Sequence, residues 1–353
     1  MLLSQIYKEK NTAQNIHKNT IKSLFISIIL CIFTPVKEKV TPMIDTSRFK
    51  SLFDLLRTFS TEDICIEHLE DIRWNGNVVS PFDETSKVYK CKNHRYKCKN
   101  TGKYFNVKTG TIFENTNIPL QKWFMAVWLI SSHKKGISSL QLSRDLGVTQ
   151  KTAWFILHRI RLCFDMENNA TLSNEVEIDE VYIGGKEKNK HESRRIEGTQ
   201  GRSTKTKTPV LGMIERKGKL VAKIIPNATV NVLTDTVTQY VVDGTTVYTD
   251  EWGGYRNMHN IYNHLFVYHK NREFVRDNVY TNTIEGFWGY MRRGIFGIYH
   301  YTSKKHLQSY VDEYVFRYNT RNDGDNVRFN SLLCNTNKYR IRYKELINGR
   351  EVA

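Results

Sequence analysis

Three acids stand in settings where a carboxylate is either costly or useful. Asp179 lies inside the apolar run VEIDEVYIGG, Asp250 ends the run TTVYTD, and Glu285 falls in TNTIEGFWGYMRRGIF. An unpaired acid inside an apolar strand carries a free-energy penalty, and a strand's carboxyl end is a usual site position in an α/β sheet. Two-metal phosphoryl-transfer sites hold two divalent ions about 3.5–4 Å apart and gather carboxylates from distant chain positions. These three acids meet that requirement by type and setting. On a helix, Asn282, Glu285 and Arg292 fall at i, i+3 and i+10, within about 80° of arc, so an amide, a carboxylate and a cation share one face. Trp288, Tyr290 and Ile295 would supply packing or stacking. Three ordinary surface acids would show the same spacing, so spacing alone leaves both readings open.

The elements that must position these residues follow from periodicity. Glu175–Ile183 and Pro209–Pro226 read as strands, the second with a hairpin turn at Arg216-Lys-Gly218. Asn231–Val242 is a helix candidate, Thr245–Tyr248 a short strand and Thr283–Phe296 a helix. This mixture of strands and helices predicts an α/β domain around one sheet. Upstream, helical spacing over Thr46–Trp74, with a cap signal at Ser60-Thr-Glu-Asp, precedes a short aromatic and basic β unit between Val78 and Phe113. Residues 117–165 return to helix. No internal repeat is present.

Charge points to a polyanionic partner. The 353 residues carry 53 Lys+Arg against 36 Asp+Glu, a formal net charge of +17, and each neutralised phosphate releases counterions. Non-specific stickiness would show the same surplus, so charge gives a tendency only. In GISSLQLSRDLGVTQKTAWFILHRIRL (136–162), Gly147 supplies a turn and Thr149 caps a second helix, the pattern of a helix-turn-helix whose second helix enters a major groove. Gln150, Lys151, Thr152 and His158 are the expected exposed readers, with Arg159 and Arg161 on phosphates. An ordinary helical hairpin is the plain alternative. The stretch from Lys186 to Lys207 holds eight Lys/Arg and three Glu; it reads as a solvated loop, compatible with a basic arm closing on DNA through Lys186, Lys188 and Lys190.

The six cysteines (Cys31, Cys65, Cys91, Cys98, Cys163 and Cys334) are scattered, which disfavours a secreted disulfide framework and favours a reducing cytoplasm. Around Pro81–Phe105 the chain has the outline of a zinc ribbon. Its two knuckles read Ser80-Pro-Phe-Asp83 and Cys98-Lys-Asn-Thr101, so one thiol of the four needed remains and no zinc is expected. Cys91, His94 and Cys98 form another three-ligand set, at a spacing that matches no established pattern. Leu24–Val36 is a continuous apolar run preceded by lysines. It falls short of the roughly 20 residues that span a bilayer, and no small-residue cleavage site follows it. Met43 is the expected natural start, with residues 1–42 an upstream extension.

Taken together, EIDEVYIGGKEKNKH (177–191), PVLGMIERKGK (209–219), TDEWGGY (249–255) and NTIEGFWGYMRRGIFGIYHYTSKKHLQSYVDEYVFRYNTR (282–321) resemble the ISXO-type insertion-sequence transposases, DDE enzymes related to the Merlin DNA transposons. RTFSTEDICIEHLEDIRW and GTIFENTNIPLQKWF extend the resemblance upstream toward Met43. It implies an RNase H-like mixed sheet flanked by helices (172–325), preceded by N-terminal helices and a degenerate zinc-ribbon-like unit (43–115) and a helix-turn-helix segment (116–168), and followed by a tail (326–353). It further implies that magnesium, or manganese, is bound as two ions and that double-stranded DNA is cut at terminal inverted repeats and joined to a target. The protein would act as a homo-oligomer on paired ends, with no small-molecule substrate and no membrane. By position, Asp179 and Asp250 are the first two metal ligands, and Glu285 or Asn282 the third. Arg292 stands where the family usually has Lys, with Arg293 beside it toward DNA. Loss of the zinc thiols leaves a second reading: a decayed or domesticated copy acting as a non-catalytic DNA-binding regulator.

Overall fold

The apolar run around Asp179 becomes the middle strand of a five-stranded sheet. In the computed structural model, which describes residues 49–185, 187–199 and 203–348, β4 (Glu175–Ile183) pairs antiparallel with β5 (Thr208–Glu215) from Val176 opposite Glu215 to Ile183 opposite Thr208. On its other side β4 pairs parallel with β7 (Thr246–Asp250). The order is β6-β5-β4-β7-β8, with β6 at Leu220–Ile224 and β8 at Asn263–Val267. The β5–β6 pair is antiparallel and the β7–β8 pair parallel. This mixed sheet is compatible with an RNase H-like domain. Its hairpin turn falls at the expected Arg216–Gly218, with Lys217 at φ 62°. The sequence pattern does not mark β8.

Side-chain alternation sends each strand's apolar residues to both faces. On one face Val181, Val210, Ile214 and Leu220 pack against Ile284, Trp288 and Met291 of a helix at Asn282–Gly294 and against Val311 and Val315 of another at Leu307–Asn319. On the other, Val176, Ile178, Leu211 and Val247 meet Leu233 and Val237 of a helix at Val230–Thr238. In chain order the longer helices are α1 (Leu52–Thr58), α2 (Glu62–Trp74), α3 (Leu120–Ser132), α4 (Ser139–Leu146), α5 (Gln150–Arg161), α6 (Val230–Thr238), α7 (Asn282–Gly294), α8 (Leu307–Asn319) and α9 (Asp325–Asn335). Among the described residues no helix is long and apolar enough to cross a membrane; the apolar run Leu24–Val36 and the rest of residues 1–42 lie outside them.

Upstream of the sheet, α3 is buried along nearly its whole length and is the axis of a second core. Phe59, Phe124 and Phe329 meet edge-on or tilted, with ring centroids 4.8–6.3 Å apart, drawing α9 back onto the N-terminal helices. The small β unit is a three-stranded sheet of β1 (Val88–Lys90), β2 (Tyr96–Cys98) and β3 (Tyr104–Phe105). Here Cys98 is fully buried, and the hydroxyls of Ser80, Ser86 and Thr101 hydrogen-bond its sulfur. His94 lies 3.3 Å from Asp63 and the Cys91 thiol faces the Tyr89 carbonyl, so Cys91, His94 and Cys98 each have separate partners.

Helices α4 and α5 form the expected pair: Gly147 closes α4 in the left-handed region at φ 59°, and the Thr149 hydroxyl accepts the Thr152 N–H at the start of α5. The far end of α5 departs from expectation. His158, Arg159 and Arg161 are buried, so none of them lies on an outer face of α5 open to a groove or to phosphates. His158 packs between Trp154, His306 and Tyr310, and burial, aided by the Arg161 charge, pushes its pKa down to about 2. Arg159 donates to the carbonyls of Ile112 (2.6 Å), Glu114 (2.9 Å) and Ile341 (3.3 Å). Arg161 pairs with Glu313 of α8 at 2.7 Å, and Glu313 also holds Arg317 at 2.8 Å and accepts the Tyr299 hydroxyl. Arg317 in turn donates to the carbonyls of Ile130 and His133. Arg161 turns inward because Glu313 of α8 supplies a counter-charge, and Arg159 because backbone carbonyls accept from its guanidinium.

Removing one partner of such a buried network strands the others without charge compensation. Glu313→Ala is expected to lower unfolding stability by about 3–5 kcal/mol, read as a shift of the urea midpoint. A loss below about 1 kcal/mol, the range of exposed pairs, would show that Glu313 does not tie α5 to α8.

Candidate active site

Register brings the first two acids together. The last paired position between β4 and β7 is Glu177 with Tyr248. Two residues further on each parallel strand come Asp179 and Asp250, on the same side of the sheet because the side-chain period is two. Both therefore sit just past the end of the β4–β7 pairing, Asp250 closing β7 while β4 continues beside β5 to Ile183. The Asp250 carboxylate accepts the Trp252 N–H at 3.0 Å.

Helix α7 crosses that face. Its Trp288 Nε1–H donates to Asp179 Oδ2 at 3.1 Å, so this residue does more than pack. The approach depends on Gly212, which lies opposite Asp179 on β5. A Cβ at Gly212 would come within 2.5 Å of the indole Cζ2 and 2.8 Å of Ile284 Cδ1. Glycine here leaves room for the indole to lie flat against the strand.

The amino end of α7 is held by Glu177, a fully buried residue two positions before Asp179 on the same side of β4. Its carboxylate accepts the backbone N–H groups of Thr283 (2.8 Å) and Ile284 (3.1 Å) and the Thr283 hydroxyl (2.8 Å). Arg216 donates to it at 2.9 Å. The Arg216 guanidinium lies between the rings of Tyr248 and Tyr280, 3.9 and 3.7 Å from their centroids. Glu285, one turn into α7, is exposed; Thr281 donates to it at 3.1 Å and His269 Nε2 lies 3.8 Å away. Glu251, next to Asp250, accepts the backbone N–H groups of His269 (2.9 Å) and Lys270 (3.3 Å) and so ties the loop after β8 to the end of β7.

Electrostatics adds that the acids act on one another. Burial pushes the Asp179 carboxyl up to about 8, and Glu180, Asp250 and Glu285 push in the same direction. Among the described residues no three His, Cys, Asp or Glu side chains close around a common point. The donor set is nonetheless of hard oxygens, the type that suits magnesium or manganese, and its mutual repulsion is what a divalent cation would relieve.

Of the other expected residues, Asn282, Arg292 and Arg293 are on α7 and exposed, as are Gln150 and Lys151 at the start of α5, while Thr152 is half-buried. Gln150 donates to Ser139 at 3.0 Å and Thr152 bonds Thr149 at 2.9 Å. Lys190 pairs with Glu187 at 2.6 Å. Lys186 and the Lys188 side chain lie outside the described residues. Glu177, Arg216, His269 and Gly212 were not singled out by sequence reasoning. Only Glu177 had a legible signal, an acid in an apolar strand two residues from Asp179.

Residues 171–319 match the ISXO2-like transposase domain. The chain is also 28% identical over 278 residues, 74% of this chain and 92% of the relative, to an uncharacterized protein in transposable element ISH50 of Halobacterium salinarum. The matched domain spans β4 to the end of α8 and includes the segments that carry the resemblance from Glu177 to Asn319.

Two outcomes test this geometry. The folded pKa of Asp179, about 8, exceeds the unfolded value of about 3.9, so its contribution to stability is complete below about pH 4 and is lost as pH rises toward 8. In chelator, Asp179→Asn should therefore melt above wild type at pH 8, by roughly 2 °C or more, with the difference vanishing near pH 4. Equal melting at pH 8 would contradict the buried, repelled carboxylate. Gly212→Ala should displace Trp288 and cost about 1–3 kcal/mol by overpacking, with a change in tryptophan fluorescence; unchanged fluorescence and stability would show that the indole does not need that space.

Proposed function

We propose, from the ISXO2-like transposase domain at residues 171–319, that this protein is an insertion-sequence transposase that binds terminal inverted repeats and catalyses DNA cleavage and strand transfer. The observation that carries the reading is that Asp179 and Asp250 each lie two residues past the last paired position of parallel β4 and β7, with Asp250 and Glu285 both near enough to perturb Asp179.

Asp179, Asp250 and either Glu285 or Asn282 would hold two divalent ions, magnesium or manganese. Such ions supply Lewis-acid charge stabilisation to an in-line phosphodiester displacement. The residues of the chain do the positioning. Glu177 and Arg216 fix the start of α7 against β4, setting Asn282 and Glu285 beside the two aspartates. Trp288 orients the Asp179 carboxylate through its indole N–H. Arg292 and Arg293, exposed farther along α7, would steady phosphates, and Arg in place of Lys would bind them with a planar fork. The exposed start of α5 offers Gln150, Lys151 and Thr152 to a major groove as the second helix of a helix-turn-helix, and Lys186, Lys188 and Lys190 would reach the backbone from the loop after β4. Action on paired ends implies a homo-oligomer.

The test is metal-dependent cleavage and strand transfer on DNA carrying the flanking inverted repeats. Asp250→Asn should lower activity by about 100- to 1,000-fold, the order of loss when a transition-state stabilising group is removed, while leaving repeat binding in place. Repeat binding by wild type without cleavage under any divalent ion would instead identify a DNA-binding copy that has lost catalysis.

A further inference from the structure

A cleft of about 600 Å³ opens between the α4–α5 pair and the segment that follows α7, within the size range of small-ligand sites. Its walls include Trp154, Tyr301 and Tyr310 together with the polar side chains of Ser139, Gln141 and Gln150. At its floor lies Arg161, 1% exposed. Glu313 occupies the Arg161 Nε, but among the described residues the buried Nη2 has no hydrogen-bond partner. A buried guanidinium donor left unsatisfied is expensive, and it calls for an acceptor oxygen or ring nitrogen in the cleft.

The outer wall is strained. Past Gly294, α7 continues as a π turn over Ile295–Tyr299, and His300 then adopts φ 60°, ψ −46°. The Tyr301 N–H bonds the Tyr299 carbonyl across it at 2.6 Å, a γ-turn that a non-glycine residue rarely accepts. This turn leaves Tyr301 73% exposed at the cleft. Strain of this kind persists where surrounding structure enforces it and is concentrated at ligand clamps. Lys134, Lys135 and Lys304 are exposed on the neighbouring segments, giving the rim the charge a nucleic acid needs.

We propose that the cleft receives a single unpaired nucleobase bearing a keto oxygen, stacked on Tyr301 and Trp154 and hydrogen-bonded by Arg161 Nη2. This rests on the transposase reading and deepens it. Helix α7 runs from Glu285 to the cleft through Arg292 and Arg293, and the 14 residues from Glu285 to Tyr299 span roughly 20 Å. That is about six base-pair steps, so a duplex engaged by the acids and running along α7 would pass the cleft. Extruding one base into a stacking pocket uses the aromatic faces, and Arg donation to a keto oxygen matches its usual base contact.

The experiment measures binding of the full chain, in chelator, to a short duplex with one bulged thymine and to the same duplex fully paired. Wild type should bind the bulged duplex about tenfold tighter, the size of one base–aromatic stack. Tyr301→Ala should remove most of that preference and Tyr301→Phe should keep it. Tyr301 is a surface side chain, so these variants leave the core intact. Equal affinity of wild type for both duplexes, or an undiminished preference in Tyr301→Ala, overturns the proposal while leaving the transposase reading standing. Binding of neither duplex overturns the proposal, and retained binding to the flanking inverted repeats would then leave the transposase reading standing.

Discussion

Glu177 is buried without exposure in the middle of a sheet, and the arrangement of the candidate site depends on how that charge is balanced. Burying a carboxylate costs several kcal/mol unless hydrogen bonds and an opposite charge replace its water. Here the replacement comes from two different elements: the first free N–H groups of α7 and the Arg216 guanidinium at the β5–β6 turn. The N-terminus of a helix is itself an anion site, because its unsatisfied N–H groups and the helix dipole both favour negative charge. Thr281 makes no side-chain cap on α7, and the strand supplies it instead. The cap therefore locks α7 to β4 at the level of Asp179. Arg216 is itself held flat between two tyrosines, so the salt bridge cannot swing away. Glu285 and Trp288 inherit their positions from this contact.

A second buried charge does the equivalent for the rest of the chain. Glu313 gathers Arg161 from α5 and Arg317 from its own helix, and Arg317 reaches the carbonyls at the end of α3. Three elements upstream and downstream of the sheet thus share one ionic centre. Only the amino-terminal end of α5 stays at the surface, since its carboxyl-terminal half is consumed in the interior.

The sheet was legible where apolar runs were long and turns were marked. The strand through Asp179, the hairpin at Arg216–Gly218 and the helix carrying Glu285 all follow from periodicity and turn residues. β8 was not: NHLFV is short, begins with two polar residues and sits at a sheet edge, with Asn263 and Leu265 exposed, so it shows little of the apolar signal of a buried strand. The basic end of α5 was misread because a helical stripe of Arg and His looks the same whether water or a buried glutamate faces it. What decides is a residue more than 150 positions away. The same non-locality hid Gly212, whose need for a missing Cβ arises only once Trp288 lies across it.

Strand β4 then shows what separates a structural acid from a functional one. It carries Glu175, Glu177, Asp179 and Glu180 within six residues. Glu177 has a guanidinium and two helix N–H groups. Glu180, on the opposite face, accepts the buried Tyr255 hydroxyl at 2.6 Å. Glu175 accepts the Tyr248 hydroxyl at 2.6 Å at the open end of the strand. Asp179 receives a neutral indole N–H while burial and three neighbouring carboxylates all oppose its charge. A core selected for stability alone would resolve that conflict with a cation or an apolar side chain. An acid kept where burial and its neighbours oppose its charge, beside Asp250 and under α7, is the mark of a functional-site candidate rather than of a structural residue.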